Sequence, residues 1–210
     1  MKLKTLLFIF VLTGLVFAQI DYSKVPAKAE DISPILNGEK VPNAVLLDAN
    51  GTKVDLQKKF AEKPTILVFY RGGWCPYCNQ HLAELQDIEG KLSKMGYQII
   101  AISPDRPAKL KAPMEENKLS YTLLSDASME FTLGMGLAFK MEDELVSIYK
   151  NKYKIDVEAD SGFSHHLLPV PAAFVIDKEG LVYFSYINPT YKTRVNKDIL
   201  LAAAKALLDE

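Results

Sequence analysis

Cys75 and Cys78 are the only cysteines of the chain, and they stand two residues apart in Phe69-Tyr70-Arg71-Gly72-Gly73-Trp74-Cys75-Pro76-Tyr77-Cys78. Two thiols at this spacing can form and break a disulfide between themselves, one attacking an electrophile and the other closing onto it. Two blander uses compete with this. A structural staple across so short a loop constrains the unfolded chain by only about 2 kcal/mol in the chain-entropy model, near the bottom of what disulfides contribute. Half of a zinc site is the other use, with His165 and His166 as the remaining ligands of a Cys2His2 set. Adjacent histidines rarely both face one metal, and this spacing is unlike a zinc finger.

The elements around the pair favour redox work. Thr65-Ile66-Leu67-Val68-Phe69-Tyr70 is an apolar run that reads as a buried strand. After the cysteines, Leu82, Leu85, Ile88, Leu92 and Met95 recur three or four apart and make one apolar stripe of a helix. Pro76 suits the first helical position, where its missing N–H is no loss. Cys75 then stands at or beside the N-cap, facing unpaired backbone N–H groups and the positive end of the helix dipole. Both favour the thiolate, which is the nucleophile. Cys78 falls one turn later on the Leu82 face, shielded but within reach of Cys75.

With 210 residues, 49% apolar and 24% charged, the chain has material for one good core, and its formal net charge of −1 gives no footing for nucleic acid. Residues 1–18 read as an export signal. Lys2 and Lys4 form a basic start, Leu6 to Phe17 an apolar core too short for a comfortable membrane span, and Val16-Phe17-Ala18 a cleavage site before Gln19. An uncleaved anchor is the competing reading. The expected location is periplasmic or otherwise extracytoplasmic, where a dithiol oxidises unless a partner reduces it.

In chain order, residues 19–35 are polar with Pro26 and Pro34, and read as a linker or arm ahead of a single domain over 36–210. Ala44–Leu47 and Thr52–Leu56 form a hairpin whose Asn50-Gly51 turn supplies positive-φ residues. The cysteine strand and helix follow, with Gly96 as a left-handed C-cap. Tyr97–Ile102 is the next strand, parallel to the first across the helix. Ser103-Pro104-Asp105 reads as the cap of a helix to about Asn117. Tyr121–Leu124 is strand-like, and Ala127–Leu133 a weak helix. Leu137 to Leu168 has no clean period and reads as an insertion with some helix. Ala172–Asp177 and Leu181–Tyr186 make a hairpin, and Asn196–Leu208 a closing amphipathic helix. This order argues for an α/β domain, a central mixed sheet with helices on both faces.

The pattern resembles the thioredoxin fold, and within it the peroxiredoxin-like branch of the alkyl hydroperoxide reductase/thiol-specific antioxidant superfamily. Three stretches carry the resemblance from about residue 36 onward: Asp48-Ala49-Asn50-Gly51, the Tyr70–Cys78 stretch, and His165-His166-Leu167-Leu168-Pro169-Val170-Pro171-Ala172-Ala173-Phe174-Val175-Ile176-Asp177. The resemblance implies an N-terminal hairpin extension, an insertion before the strand that follows Pro171, and a cis Val170–Pro171 bond facing the cysteines. In that arrangement Val170 would pair through its backbone with an extended substrate, and Trp74, Pro76 and Tyr77 would flank it. An ordinary trans-proline opening a strand is the alternative.

Two departures bear on activity. Laid over the P-x-x-x-T-x-x-C motif of peroxidase-active relatives, the chain has Arg71 in place of proline, Cys75 in place of threonine, and Cys78 at the peroxidatic position. Pro171 stands where those enzymes carry an activating arginine. Phe69 also stands where thioredoxin has a buried acid. The expectation is therefore an exported thiol–disulfide oxidoreductase, in which Cys75 attacks a protein disulfide and Cys78 resolves. A peroxide reductase passing through a sulfenic acid is the close alternative. A zinc or binding module is the outsider. Either redox reading needs a thioredoxin-like or membrane-linked thiol reductant, and neither needs a cofactor or metal. Arg71, His165 and His166 are candidate modulators, and His81 reads as a surface helix residue.

Overall fold

The computed structural model describes residues 22–208. The export signal expected over residues 1–18 lies outside the described residues. The first half of the domain contains β1 (Val45–Leu47), β2 (Lys53–Asp55), α1 (Leu56–Glu62), β3 (Thr65–Phe69), α2 (Pro76–Lys94), β4 (Gln98–Ser103), α3 (Lys111–Glu116) and β5 (Thr122–Ser125). The second half contains α4 (Glu130–Gly134), β6 (Ala138–Lys140), α5 (Asp143–Lys152), α6 (Val157–Ser161), β7 (Leu167–Pro169), β8 (Ala172–Ile176), β9 (Val182–Ile187) and α7 (Lys197–Leu208).

Seven strands form one mixed sheet in the order β2-β1-β5-β4-β3-β8-β9. β3 sits near its middle, parallel to β4 and antiparallel to β8. All five of its residues are buried, so the continuous apolar run is explained by cover on both faces. Ile66 and Val68 point to one side, where α2 and α7 lay down Leu82, Leu85, Leu92, Leu200 and Ala204. Leu67 and Phe69 point to the other, against Leu56 and Phe60 of α1, Phe131 of α4 and Phe174. Each such side chain contributes about 1.5–3 kcal/mol by leaving water. The N-terminal hairpin is not a separate flap, because Leu47 pairs with Ser125 and joins it to the sheet.

Several local expectations are corrected. At the first hairpin Gly51 has φ +81 but Asn50 does not share it; the Asp48 carboxylate shapes the turn by accepting from the Asn50 and Thr52 amides, both at 2.8 Å. Asp105 caps no helix. Its side chain turns inward, and the chain passes through a 3₁₀ turn at Pro107–Lys109 into the short α3. The region from Leu137 to Leu168 holds two strands as well as helix, β6 and β7 forming a separate antiparallel pair.

The Val170–Pro171 bond is trans, not cis. The trans isomer is the default for X–Pro, and the surroundings hold it without a reversal. Val170 donates its N–H to the Leu137 carbonyl at 2.9 Å, and the Asn188 N–H donates to the Pro171 carbonyl at 3.1 Å. Val170 is buried and its amide is already committed, so it offers no donor to an incoming strand.

Candidate active site

β3 ends at Phe69, the chain turns through Gly72 and Gly73, and α2 begins at Pro76, so the two cysteines come off the end of the central strand. Cys75 is the N-cap in extended conformation (φ −92, ψ 114), and its carbonyl accepts from the Cys78 and Asn79 amides, both at 3.0 Å. The preceding turn is clamped. The Gly73 N–H donates to Asp105 Oδ2 at 2.7 Å, Asn79 Nδ2 donates to the Gly73 carbonyl at 2.8 Å, and the Cys75 N–H donates to the Gly72 carbonyl at 3.1 Å. Gly72 has φ +145, and a Cβ there would fall 2.4 Å from Trp74 Nε1 and 2.9 Å from Asp105 Oδ1. Only glycine permits both the dihedral and the approach.

Both cysteines are free thiols, each 1% exposed. They differ in acidity. The Cys78 thiol hydrogen-bonds the Cys75 sulfur, and the Cys78 amide, Arg71 and Arg194 add to that stabilisation; against the opposing cost of burial they bring Cys75 down to about 6. Cys78 moves the other way, pushed well up by burial and by its neighbour Cys75. The pair is thus poised with the charge on Cys75 and the proton on Cys78. Cys75 also lines a groove, together with Trp74, Pro76, Tyr77 and Pro171. Val170, expected beside them, is buried behind this wall.

Two guanidinium groups attend the thiols. Arg71 is 4% exposed and sits among aromatic rings, 4.4 Å from the centroid of Tyr191, 5.2 Å from Trp74 and 5.8 Å from Tyr149. Its Nη2 donates to Tyr149 Oη at 2.8 Å, and no carboxylate pairs with it among the described residues. Arg194, absent from the sequence reading of the site, donates from Nη2 to Cys78 Sγ at 3.2 Å. Its Nη1 donates to the Thr193 carbonyl at 2.9 Å and to the Tyr191 carbonyl, which fixes it in the loop before α7. His81 was also misread. It is 4% exposed, and burial together with Arg194 lowers its pKa to about 4, so it is neutral.

His165 and His166 are not among the groups that set the thiol acidities. The Leu167 N–H donates to His165 Nδ1 at 2.9 Å, so Nε2 carries the proton and donates to the Ala127 carbonyl at 2.9 Å. His166 has its two ring nitrogens on Asp143, at 3.2 Å, and Glu158, at 2.9 Å. It ties α5 to α6. The Cys2His2 arrangement therefore does not assemble, and no cluster of three or more metal-ligating side chains occurs among the described residues.

A central mixed sheet carrying a C-x-x-C pair at the end of a middle strand and the start of a helix defines a thioredoxin-like fold. The chain belongs to the AhpC/TSA family, whose family model matches residues 37–185. Among curated relatives, a chloroplastic peroxiredoxin Q of Suaeda salsa is 29% identical over 161 residues, covering 77% of this chain and 64% of that protein. A chloroplastic peroxiredoxin Q of Triticum aestivum is 30% identical over 154 residues, covering 73% of this chain and 60% of that protein. The chain thus spans somewhat less than two thirds of the length of these relatives. Among solved structures, reduced Prx3 from Vibrio vulnificus, in complex with hydrogen peroxide, superposes with a TM-score of 0.66 at 23% identity, covering 81% of this chain and 99% of that one. Peroxidoxin BcpB from Mycobacterium tuberculosis gives 0.62 at 22%, covering 81% and 97%. The fold is that of the peroxiredoxins.

Proposed function

We propose that the protein is an exported thiol-dependent peroxide reductase in which Cys75 is the peroxidatic cysteine and Cys78 resolves. The carrying observation is a set of buried polar atoms with no hydrogen-bond partner among the described residues. Five of the six, Tyr70 Oη, Arg71 Nε, Asn79 Oδ1, His81 Nε2 and Arg194 Nε, belong to residues 70–81 or to Arg194. An unmet buried polar group costs about 1–3 kcal/mol, so such a concentration calls for a function. Of these residues Arg71 is the one that lines the groove at Cys75, and its Nε is a donor that lacks an acceptor among the described residues. The oxygens of a peroxide or a sulfenic acid are acceptors; a disulfide sulfur is a poor one.

The Cys75 thiolate attacks one peroxide oxygen. An S–O bond forms, the O–O bond breaks, the attacked oxygen keeps its hydrogen as the sulfenic acid, and the departing oxygen takes a proton from solvent to leave as water or alcohol. Arg71 is the cation closest in effect to Cys75 and serves the charge that develops on the leaving oxygen. Cys78 then loses its proton, held as thiolate by Arg194, and its sulfur displaces hydroxide from Cys75 as water. The resulting disulfide takes two electrons from an external thiol reductant.

This reverses the order drawn from the sequence, which placed disulfide exchange first. That order relied on a cis-proline platform and on a missing threonine–arginine pair, of which the threonine is still replaced by Cys75. The platform is absent, and cations reach the thiols from Arg71 and Arg194 instead of from the Pro171 position. Disulfide exchange keeps one observation in its favour: the groove at Cys75, about 710 Å³, exceeds what hydrogen peroxide needs.

Stopped-flow reaction of the reduced protein with hydrogen peroxide and with a protein disulfide decides between the two. Peroxide should react faster, and Arg71→Gln should slow it by about 10²-fold, the cost typical of one lost charge-stabilising donor. Faster reaction with the protein disulfide would overturn the proposal. For export, rooted in Lys2, Lys4 and Val16-Phe17-Ala18, intact mass of protein from its native envelope should show an N-terminus near Gln19; retention of Met1 would refute it.

A further inference from the structure

Two segments without a motif of their own wall the groove at Cys75. α5 contributes Leu145, Ile148, Tyr149 and Lys152, whose spacing of three and four puts them on one helical face. The N-terminal arm contributes Lys28, Ala29 and Glu30. The arm lies on the domain: the Lys140 N–H donates to the Pro26 carbonyl at 2.8 Å, and Tyr22 and Val25 pack on Met129, Ala138 and Leu167. Eleven large apolar side chains are exposed among the described residues, and five of them, Tyr77, Leu145, Ile148, Tyr153 and Tyr191, line this one groove. Exposed apolar surface concentrated in this way marks a binding site. The groove also carries charge. Lys28 and Lys152 are exposed on its lining, neither is bridged to a carboxylate among the described residues, and Glu30 is the only acid of the lining.

We propose that this groove binds an amphipathic carboxylate, its apolar chain laid along α5 and across Cys75 and its anionic end at Lys28 and Lys152, so that the arm and α5 select the hydroperoxide that reaches the thiolate. The volume, about 710 Å³, lies within the ~300–1,000 Å³ of small-molecule sites and is out of proportion to hydrogen peroxide. Phe139, Leu145 and Ile148 offer a chain apolar surface, and each methylene that leaves water there adds about a factor of four in affinity. Lysine suits the mouth of such a site, because its stem covers apolar surface while its ammonium stays in water to meet the carboxylate. Apolar contacts hold the chain without direction, and the charged end orients it. Arg71 is 4% exposed among the rings of Trp74, Tyr149 and Tyr191, and is left to the peroxide group. A hydroperoxide borne on the bound chain meets Cys75 by the step already described. Its terminal oxygen goes to sulfur, and the inner oxygen takes a proton from solvent and leaves with the chain as an alcohol.

This inference rests on the proposed function for its chemistry, but binding is tested without peroxide. Trp74, the only tryptophan of the chain, lines the groove, so its fluorescence reports occupancy. The reduced protein is titrated with decanoate, hexanoate and 1-decanol, each below the concentration at which it aggregates. Decanoate should change the emission and slow alkylation of Cys75 by iodoacetamide. Hexanoate, with its shorter chain, should bind about tenfold more weakly or less tightly still. Decanol should bind about fivefold more weakly than decanoate, the upper range of a rim-exposed ion pair. Lys28→Glu combined with Lys152→Glu should abolish the preference for decanoate over decanol, and Ile148→Asp should weaken both. In turnover of a hydroperoxide of a long-chain carboxylic acid, the lysine pair should raise KM more than it lowers kcat. Unchanged emission with unprotected Cys75 in the presence of decanoate would overturn the proposal. So would equal affinity for decanoate and decanol in the wild type, the result expected of an apolar surface for a partner protein, or a preference for decanoate that survives both lysine substitutions. Slow reaction with hydrogen peroxide in a protein that binds decanoate would count against the peroxidase reading alone.

Discussion

At the residue scale the two sulfurs differ because their surroundings differ. Cys75 receives hydrogen bonds and positive charge, whereas Cys78 receives mainly burial. Labelling by iodoacetamide at limiting reagent should therefore fall on Cys75. Its rate should rise with pH as thiolate forms, with its midpoint at about 6, and then level off. A midpoint near the free thiol value of about 8.5, or first labelling of Cys78, would contradict this assignment. Arg194→Gln should slow closure of the disulfide after oxidation by about 10- to 100-fold, the range expected when a hydrogen bond to a charged group is lost. Tryptophan fluorescence of Trp74 beside the thiols can follow that step; closure at the wild-type rate would remove Arg194 from it. Cysteine spacing and Pro76 made the place of Cys75 at the start of α2 legible in the sequence. Arg194 was not legible, since it reaches Cys78 across 116 residues through a loop. His81 could have been found: it lies three residues after Cys78 and four before Leu85, on the buried face of the same helix.

At the element scale, the strands with continuous apolar runs and the long amphipathic helix were readable because their periods extend over enough residues. α1 was not, with only Leu56 and Phe60 buried in seven residues. α5 hid for the opposite reason. None of its residues is fully buried, so it shows no stripe facing a core. Its inner side instead forms a wall of the Cys75 groove through Leu145, Ile148 and Tyr149. What ties it to the active-site turn is the Tyr149 hydroxyl accepting from Arg71, supported by the edge-on contact of Tyr149 with Trp74 at 5.8 Å. Tyr149→Phe removes the hydroxyl and keeps the ring. The expected result is faster amide exchange across Asp143–Lys152 and a peroxide reaction slower by a few-fold, since a neutral hydrogen bond contributes about 0.5–1.5 kcal/mol. If neither changes, Arg71 is positioned by the aromatic rings alone.

At the scale of the whole molecule, the sheet brings the end of β4 against the cysteine turn and buries a carboxylate there. Asp105 is 2% exposed and accepts from the Gly73 N–H and the Ser103 hydroxyl on Oδ2. Lys109, whose charge acts on Asp105, is paired instead with Asp160 at 2.7 Å. Burial outweighs the two hydrogen bonds and raises the Asp105 pKa to about 7. Because this exceeds the unfolded value of 3.8, the folded state holds a proton that the unfolded state releases between the two. The stabilisation is full below the unfolded value and is lost as pH rises through about 7. Asp126, raised to about 6 by burial, acts in the same direction. His81 opposes both, since its contribution is present above 6.5 and lost as pH falls through about 4. The net pH profile is thus a sum of opposed parts, and a variant isolates one of them. Asp105→Asn keeps an oxygen for the Gly73 N–H but cannot ionise. Relative to wild type it should gain stability between pH 5 and pH 8, on the order of a few kcal/mol for a shift of this size. Denaturant unfolding of both proteins at the two pH values measures the change directly, with the Asp126 and His81 contributions common to both and cancelling. A stability difference that is the same at pH 5 and pH 8 would mean that Asp105 is ionised in the folded protein at both, as it is in the unfolded chain, and that the clamp on Gly73 carries no linked proton.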